Sequence, residues 1–327
     1  MKIQDYCDMD NGALRLRTPL QTFCRGTIVT DDPEMNRQLD ILERNGRNCI
    51  PLAIRGEKGS GKDRVAQYAH NVSDIFKTAL LKTNCAYLTE EQLYIELFGT
   101  KAQRDLGLVY RASGGGLYIQ NADLMSPYLQ YRLMHYICDT PTSSKVRRFI
   151  ISLQDCEEPF SKLSEEMTSY FSTMVFDIPP LRKRPQDILL LTFQQLQHIR
   201  QELRLERRLT PEVMRVLLTY DWPGNIRQLA NAIERMAVLS GNTLIDSVHL
   251  AHRCLSPDKQ SKNDPLDPPQ TPETRSLKRM VQDYEFMLIQ QSLEQHGSIR
   301  KAAAALKVSH TTLSRKIAEY NLGSQDK

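Results

Sequence analysis

Two kinds of hydrophobic pattern divide the chain. Between Gly26 and about Lys183, short apolar β-rich runs alternate with stretches whose apolar residues recur every three or four positions. The runs predict strands at Pro51–Arg55, Leu80–Asn84, Gly116–Ile119, Arg148–Leu153 and Met174–Ile178. The stretches predict helices at Pro33–Asn45, Asp63–Asn71, Glu90–Phe98, Pro127–Cys138 and Lys162–Phe171. Alternation of this kind builds a parallel sheet with crossover helices, an α/β nucleotide-binding core. From Pro185 the strand pattern stops. Gln186–Leu203, Pro211–Thr219, Ile226–Ser240 and Asp246–Cys254 read as helices of an all-α lid, with Trp222-Pro223-Gly224-Asn225 as a turn and N-cap. Residues 1–27 form a short N-terminal segment of mixed polarity that predicts no element, and Arg204–Arg208 reads as a solvated helix end.

The remaining segments complete the layout. The core is expected over residues 28–184 and the lid over 185–255. Residues 256–274 are polar and proline-rich, contain nothing that could form a core, and read as a linker. Residues 275–327 open with one amphipathic helix, Ser276–Gln295. An alanine-rich helix, Ser298–Leu306, follows, then a turn at Lys307-Val308-Ser309 and a second helix, His310–Ile317. That is the build of a helix-turn-helix: the alanines let two helices cross closely, Ser309 suits an N-cap, and Leu313 and Ile317 face inward. Arg300, Lys301, Ser309, His310, Thr311, Thr312, Ser314, Arg315 and Lys316 are the candidate contacts to double-stranded DNA. A unit this small grips DNA weakly, so a homodimer on a two-fold symmetric operator is expected.

Composition narrows the class. With 327 residues the chain is long enough for one large domain and a small one, and a net charge of +4 leaves nucleic-acid binding to local patches. Seven scattered cysteines without C-x-x-C spacing point to reduced thiols in a cytoplasmic protein and to no metal site. The longest apolar runs are far short of the ~20 residues that span a bilayer, and Met1–Asp5 lacks the build of a secretory signal.

The chemistry centres on one loop. Gly56-Glu57-Lys58-Gly59-Ser60-Gly61-Lys62-Asp63 lies between a predicted strand and a predicted helix. In the G-x-x-x-x-G-K pattern, backbone N–H groups and a helix N-terminus surround phosphates and the lysine adds positive charge. Position 63, usually Ser or Thr for Mg²⁺, is Asp. The strand that should end in an acidic pair, to hold Mg²⁺ and polarise water, ends in Gln120-Asn121. Asp123, two residues on, is expected to face another direction. ATP binding with little or no hydrolysis is the expectation, and support for Mg²⁺ is weak.

The loop, Asn84-Cys85-Ala86, Glu96-Leu97-Phe98-Gly99, Gly114-Gly115-Gly116, Pro179-Pro180-Leu181-Arg182 and Trp222–Leu229 together resemble the sigma-54 activator-type AAA+ regulators with a Fis-type DNA-binding tail. The resemblance runs from about Gly26 to Gly323. In that family an acidic residue commonly follows the loop lysine, and Arg227 matches a lid arginine that touches nucleotide phosphates. Met125-Ser126-Pro127, Arg184–Ile188, Val308–Leu313 and Glu319–Leu322 are similar to the branch that regulates aromatic amino acid genes. That likeness implies a repressor of biosynthesis or transport genes, with tyrosine or another aromatic amino acid as effector and RNA polymerase as a possible partner. It also implies ATP-controlled assembly of dimers into a higher oligomer, in a shortened form without sensor domains.

Three departures bear on mechanism. The sigma-contacting Gly-Ala-Phe-Thr-Gly-Ala loop is missing after Gly99, which argues against sigma-54 activation. Ser164 and Tyr170 stand where the family has arginine fingers, and Leu153-Gln154 replaces its polar sensor pair. A working AAA+ ATPase that remodels a partner, and a constitutive DNA-binding protein with a relic nucleotide pocket, remain alternatives.

Overall fold

The computed structural model describes residues 3–100, 107–140, 145–154 and 160–255, and from the C-terminal region 292, 301, 303 and 308–319. The chain forms two compact units, Met1–Pro257 and Asp258–Lys327. The first begins with an antiparallel hairpin, β1 (Cys7–Asp10) and β2 (Ala13–Leu16), then a short pair, β3 (Cys24–Arg25) and β4 (Ile28–Val29). The hydrophobic pattern gave no sign of this hairpin. Its two strands are four residues each, and the positions it buries, Cys7, Ala13 and Leu14, do not alternate strictly.

The core follows: α1 (Pro33–Asn45), β5 (Leu52–Arg55), α2 (Lys62–Asn71), β6 (Leu80–Asn84), α3 (Glu90–Phe98), α4 (Leu108–Arg111), β7 (Gly116–Gln120), α5 (Pro127–Asp139), β8 (Arg148–Leu153), α6 (Glu165–Phe171) and β9 (Val175–Asp177). The five strands from β5 to β9 are all parallel, in the order β6-β7-β8-β5-β9. Each lies within one residue of its predicted place. Side chains alternate between two buried faces: Leu52, Ile54, Tyr118 and Ile150 pack on one, and Ala53, Leu117, Ile119, Phe149 and Ile151 on the other. The helix predicted from Lys162 starts at Glu165, because the Ser164 hydroxyl accepts from Met167 N and caps it.

The lid consists of α7 (Pro185–Glu202), α8 (Pro211–Thr219), α9 (Asn225–Leu239) and α10 (Val248–Leu255), with β10 (Arg208–Leu209) paired in parallel to β11 (Leu244–Ile245). Its core includes Ile188, Leu196, Leu217, Ile233 and the fully buried Trp222, and it takes in Cys7, Leu14, Leu20 and Val29 from the N-terminal segment. Asp187, at the start of α7, accepts from the Thr30 hydroxyl and from Asp31 N, both at 2.8 Å, and pairs with buried Arg184. The Arg204–Arg208 run is not a solvated helix end. Arg207 donates to the carbonyls of Ala237 and Ser240, and Arg208 belongs to β10. The last lid helix begins two residues later than predicted, with Ser247 Oγ accepting from Leu250 N.

In the second unit the helix α11 (His310–Glu319) covers and extends the predicted second helix. Ser309 Oγ accepts from Thr312 N at 3.1 Å, the geometry of an N-cap, and Leu313 is buried. Of the first helix only Lys301 and Ala303 are described; Ser276–Gln295 apart from Ser292, the linker and Arg300 lie outside the described residues.

Candidate nucleotide site

Strand β5, between β8 and β9 in the sheet, runs into the loop Gly56–Gly61, and α2 begins at Lys62. The turn depends on glycine. Gly59 and Gly61 have φ of +79° and +106°, and a Cβ on Gly59 would lie 2.4 Å from the Gly224 carbonyl oxygen. The loop backbone at Gly59 thus lies directly against the lid turn at Gly224.

Three residues, one from the turn that leads into the lid and two from the start of α9, bind the loop. Arg182 Nη2 and Nη1 donate to Glu57 Oε1 and Oε2 at 2.6 and 3.0 Å. Asn225, fully buried, donates from Nδ2 to Glu57 Oε2 at 2.9 Å and to the Lys58 carbonyl at 3.2 Å, while its Oδ1 accepts from Leu181 N at 2.8 Å. Arg227 N donates to the Gly59 carbonyl at 3.3 Å. The Arg182 guanidinium holds the Glu57 carboxyl below the usual carboxylate range. The sequence pattern places Asn225 in the turn before α9. It misses the longer reach, whose only sign is an amide at the lid turn.

Loop and lid enclose a cavity of about 390 Å³, lined by Lys58, Gly59, Gly61, Lys62, Asp63 and Arg227, and by Asn84, Gln120, Asn121, Ser152 and Gln154. Of the remaining loop residues, Gly56 and Glu57 accept at their carbonyls from Lys62 Nζ at 2.5 and 3.1 Å, and Ser60 is buried. Backbone donors, Lys62 and the exposed Arg227 fit a polyphosphate.

The far wall carries one carboxylate beside two amides. Asp63 Oδ1 accepts from Gln120 Nε2 at 2.9 Å and from the Tyr118 hydroxyl at 3.0 Å. Burial pushes the Tyr118 phenol well up, so it stays a neutral donor. Asn121, left-handed at φ 53°, donates from Nδ2 to Asn84 Oδ1 at 2.7 Å. Asp123 is buried behind the strand end, where Oδ1 accepts from Gln154 N at 3.4 Å, and it does not line the cavity. One carboxylate flanked by two amides is a poor donor set for Mg²⁺, which favours several oxygen anions and waters. Ser164 caps α6, and Tyr170 is packed edge-on against Phe171 with its phenol pushed up to about 12 by burial.

In the second unit Thr311 and Lys301 are exposed, and Thr312, Ser314 and Lys316 are half-buried; the side chains of His310 and Arg315 lie outside those described. Among the described residues no helix is long and apolar enough to cross a membrane.

Comparison with known proteins accounts for this layout. A family model described as "Sigma-54 interaction domain" matches residues 28–145, one described as "AAA+ ATPase lid domain" matches 182–266, and one described as "Helix-turn-helix domain" matches 274–323. The transcriptional activator RocR of Bacillus subtilis is 27% identical over 330 residues, covering 93% of this chain and 70% of RocR. The regulatory protein TyrR of Salmonella typhimurium is 29% identical over 311 residues, covering 91% of this chain and 59% of TyrR. Among solved structures, NtrX of Brucella abortus in complex with ADP superposes with a TM-score of 0.63 at 25% identity, covering 91% of this chain and 70% of NtrX. The fold is therefore an AAA+ P-loop core with a parallel five-stranded sheet, a helical lid and a C-terminal helix-turn-helix.

Proposed function

We propose that this chain is a cytoplasmic DNA-binding transcriptional regulator in which ATP is a bound ligand that controls assembly rather than a fuel. The observation that carries this reading is the pairing of a complete phosphate loop, Lys62 and Arg227 included, with amides at Gln120 and Asn121. Phosphoryl transfer to water needs a carboxylate that orients the nucleophile and a metal that spreads the developing charge. Gln120 donates a hydrogen bond where an acceptor is required, so binding is retained and turnover is not supported.

The genes controlled are those of aromatic amino acid biosynthesis or transport, mainly by repression, with tyrosine or a related amino acid as effector. The likeness to TyrR supports this finer reading. ATP and effector join homodimers into a larger assembly, and several weak DNA-binding units held together act at high local concentration on the operator. Activation of sigma-54 promoters is the second reading, favoured by the domain match at 28–145 and by RocR. The segment after Gly99, Thr100-Lys101-Ala102-Gln103-Arg104-Asp105, lacks the sigma-contacting loop and weighs against it.

A gel shift on a palindromic aromatic-regulon operator, with and without ATP and tyrosine, tests the proposal. A slower complex that requires both ligands is expected. Tight binding indifferent to both would identify a constitutive binder, and steady phosphate release abolished by Lys62→Ala would identify a working ATPase.

A further inference from the structure

A second cavity, of about 690 Å³, lies between the N-terminal hairpin and the lid and shares no residue with the nucleotide cavity. Its floor is apolar: Leu14, Leu20 and Leu196 are buried there beside the half-buried ring of Phe193. Its wall carries five arginines against two carboxylates, Asp10 and Glu206. Arg208 is paired with both carboxylates at 3.4 and 3.7 Å, Arg17 with Asp8 at 2.8 Å, and Arg207 donates to lid carbonyls. The side chains of Arg15 and Arg200, both exposed, have no hydrogen bond or ion pair among the described residues. Two guanidinium groups without a protein partner thus stand one on each side of a cleft with an apolar floor, and their summed charge makes it attractive to an anion.

The geometry points to a binding site for a small apolar carboxylate, whose anionic group bridges Arg15 and Arg200 while its hydrocarbon or aromatic body rests on Leu14, Leu196 and Phe193. Guanidinium forks match carboxylates two-pronged, and an apolar floor with a few convergent polar groups is the usual make-up of a small-molecule pocket of this volume. The floor also argues against a nucleic-acid phosphate, which would bring no apolar surface. A ligand held between β2 and α7 would fasten the hairpin to the lid. As the seat of the effector, the site rests on the function proposed above; as a carboxylate site it stands without it.

Calorimetric titration of the full chain, without DNA or nucleotide, separates the two. The probe is 3-phenylpropionate, with phenethylamine and inorganic phosphate as controls. One-to-one binding of phenylpropionate alone is expected, weakened roughly tenfold or more by Arg200→Gln and by Arg15→Gln and unaffected by Lys62→Ala. Phe193→Leu should weaken it less, and circular dichroism confirms that each variant is folded. No binding, equal binding of phenethylamine or phosphate, indifference to both arginine substitutions, or displacement by a short DNA duplex would each overturn the site. An operator response to tyrosine that survives Arg15→Gln and Arg200→Gln would leave the regulatory proposal intact and remove the effector from this cavity.

Discussion

Gln120 Nε2 lies 2.9 Å from Asp63 Oδ1 and donates to it, so the end of β7 meets the first turn of α2 through an amide and a carboxylate. Two carboxylates at this distance would repel unless a cation lay between them. The contact is self-sufficient as it stands. The proposal that phosphates are held here without being cleaved rests on this contact.

Acids placed at the end of β7 should create a cation site. The double substitution Gln120→Asp and Asn121→Glu places negative charges beside Asp63 and supplies the oxygen donors a divalent cation requires. We expect Mg²⁺ to raise the melting temperature of the double variant and to leave that of the wild type unchanged, as read by scanning calorimetry.

The ties that hold the loop should differ in worth. Asn225 is fully buried and makes three hydrogen bonds, so Asn225→Ala strands Leu181 N and is expected to cost about 2–3 kcal/mol in urea unfolding. The Arg182–Glu57 pair is partly exposed, its side chains 40% and 26% accessible, and Arg182→Ala should cost about 1 kcal/mol or less.

The same pair has a pH signature. The folded-state pKa of Glu57 is depressed by Arg182, so its contribution is present above the ordinary glutamate pKa and is lost as pH falls through the folded value. Arg182→Ala should therefore narrow the gap in stability to wild type on acidification, in unfolding curves taken from neutral pH downward. A gap that widens would contradict the assignment.

Glycine 59 joins loop conformation to lid contact. Gly59→Ala sets a side chain at φ +79° and a Cβ 2.4 Å from the Gly224 carbonyl, backbone that cannot swing aside. ATP affinity should fall by roughly tenfold or more, with the sheet retained, as measured by fluorescent-nucleotide titration.

In the DNA-binding unit, Ser309→Ala removes the cap on α11 and should cost about 1 kcal/mol of local stability. Operator affinity should drop in parallel, while ATP binding does not change.

Most of the core was legible because its physics is local. Leu52, Ala53 and Ile54 announce a strand buried on both faces, and the glycines of Gly56–Gly61 announce the turn after it. Helix starts were less legible where two hydroxyls competed in sequence with charged neighbours: Ser164 and Ser247, not Lys162 or Asp246, accept the capping bonds. What the sequence hid is long-range. Asn225 reaches 168 positions back to Glu57, and the hairpin is stable because Leu14 meets lid residues far along the chain. Arg208 likewise reads as one more surface charge until Asp10, 198 positions away, is seen beside it.

The central claim, that this site holds ATP without cleaving it, is tested by the nucleotide recovered from the protein. The chain is incubated with Mg²⁺ and ATP for an hour, separated from free ligand, denatured, and its bound nucleotide resolved by ion-exchange chromatography. Near-stoichiometric intact ATP is the predicted result. Recovery of ADP would contradict the account by showing a competent catalytic site, and recovery of no nucleotide would contradict it by showing an empty loop.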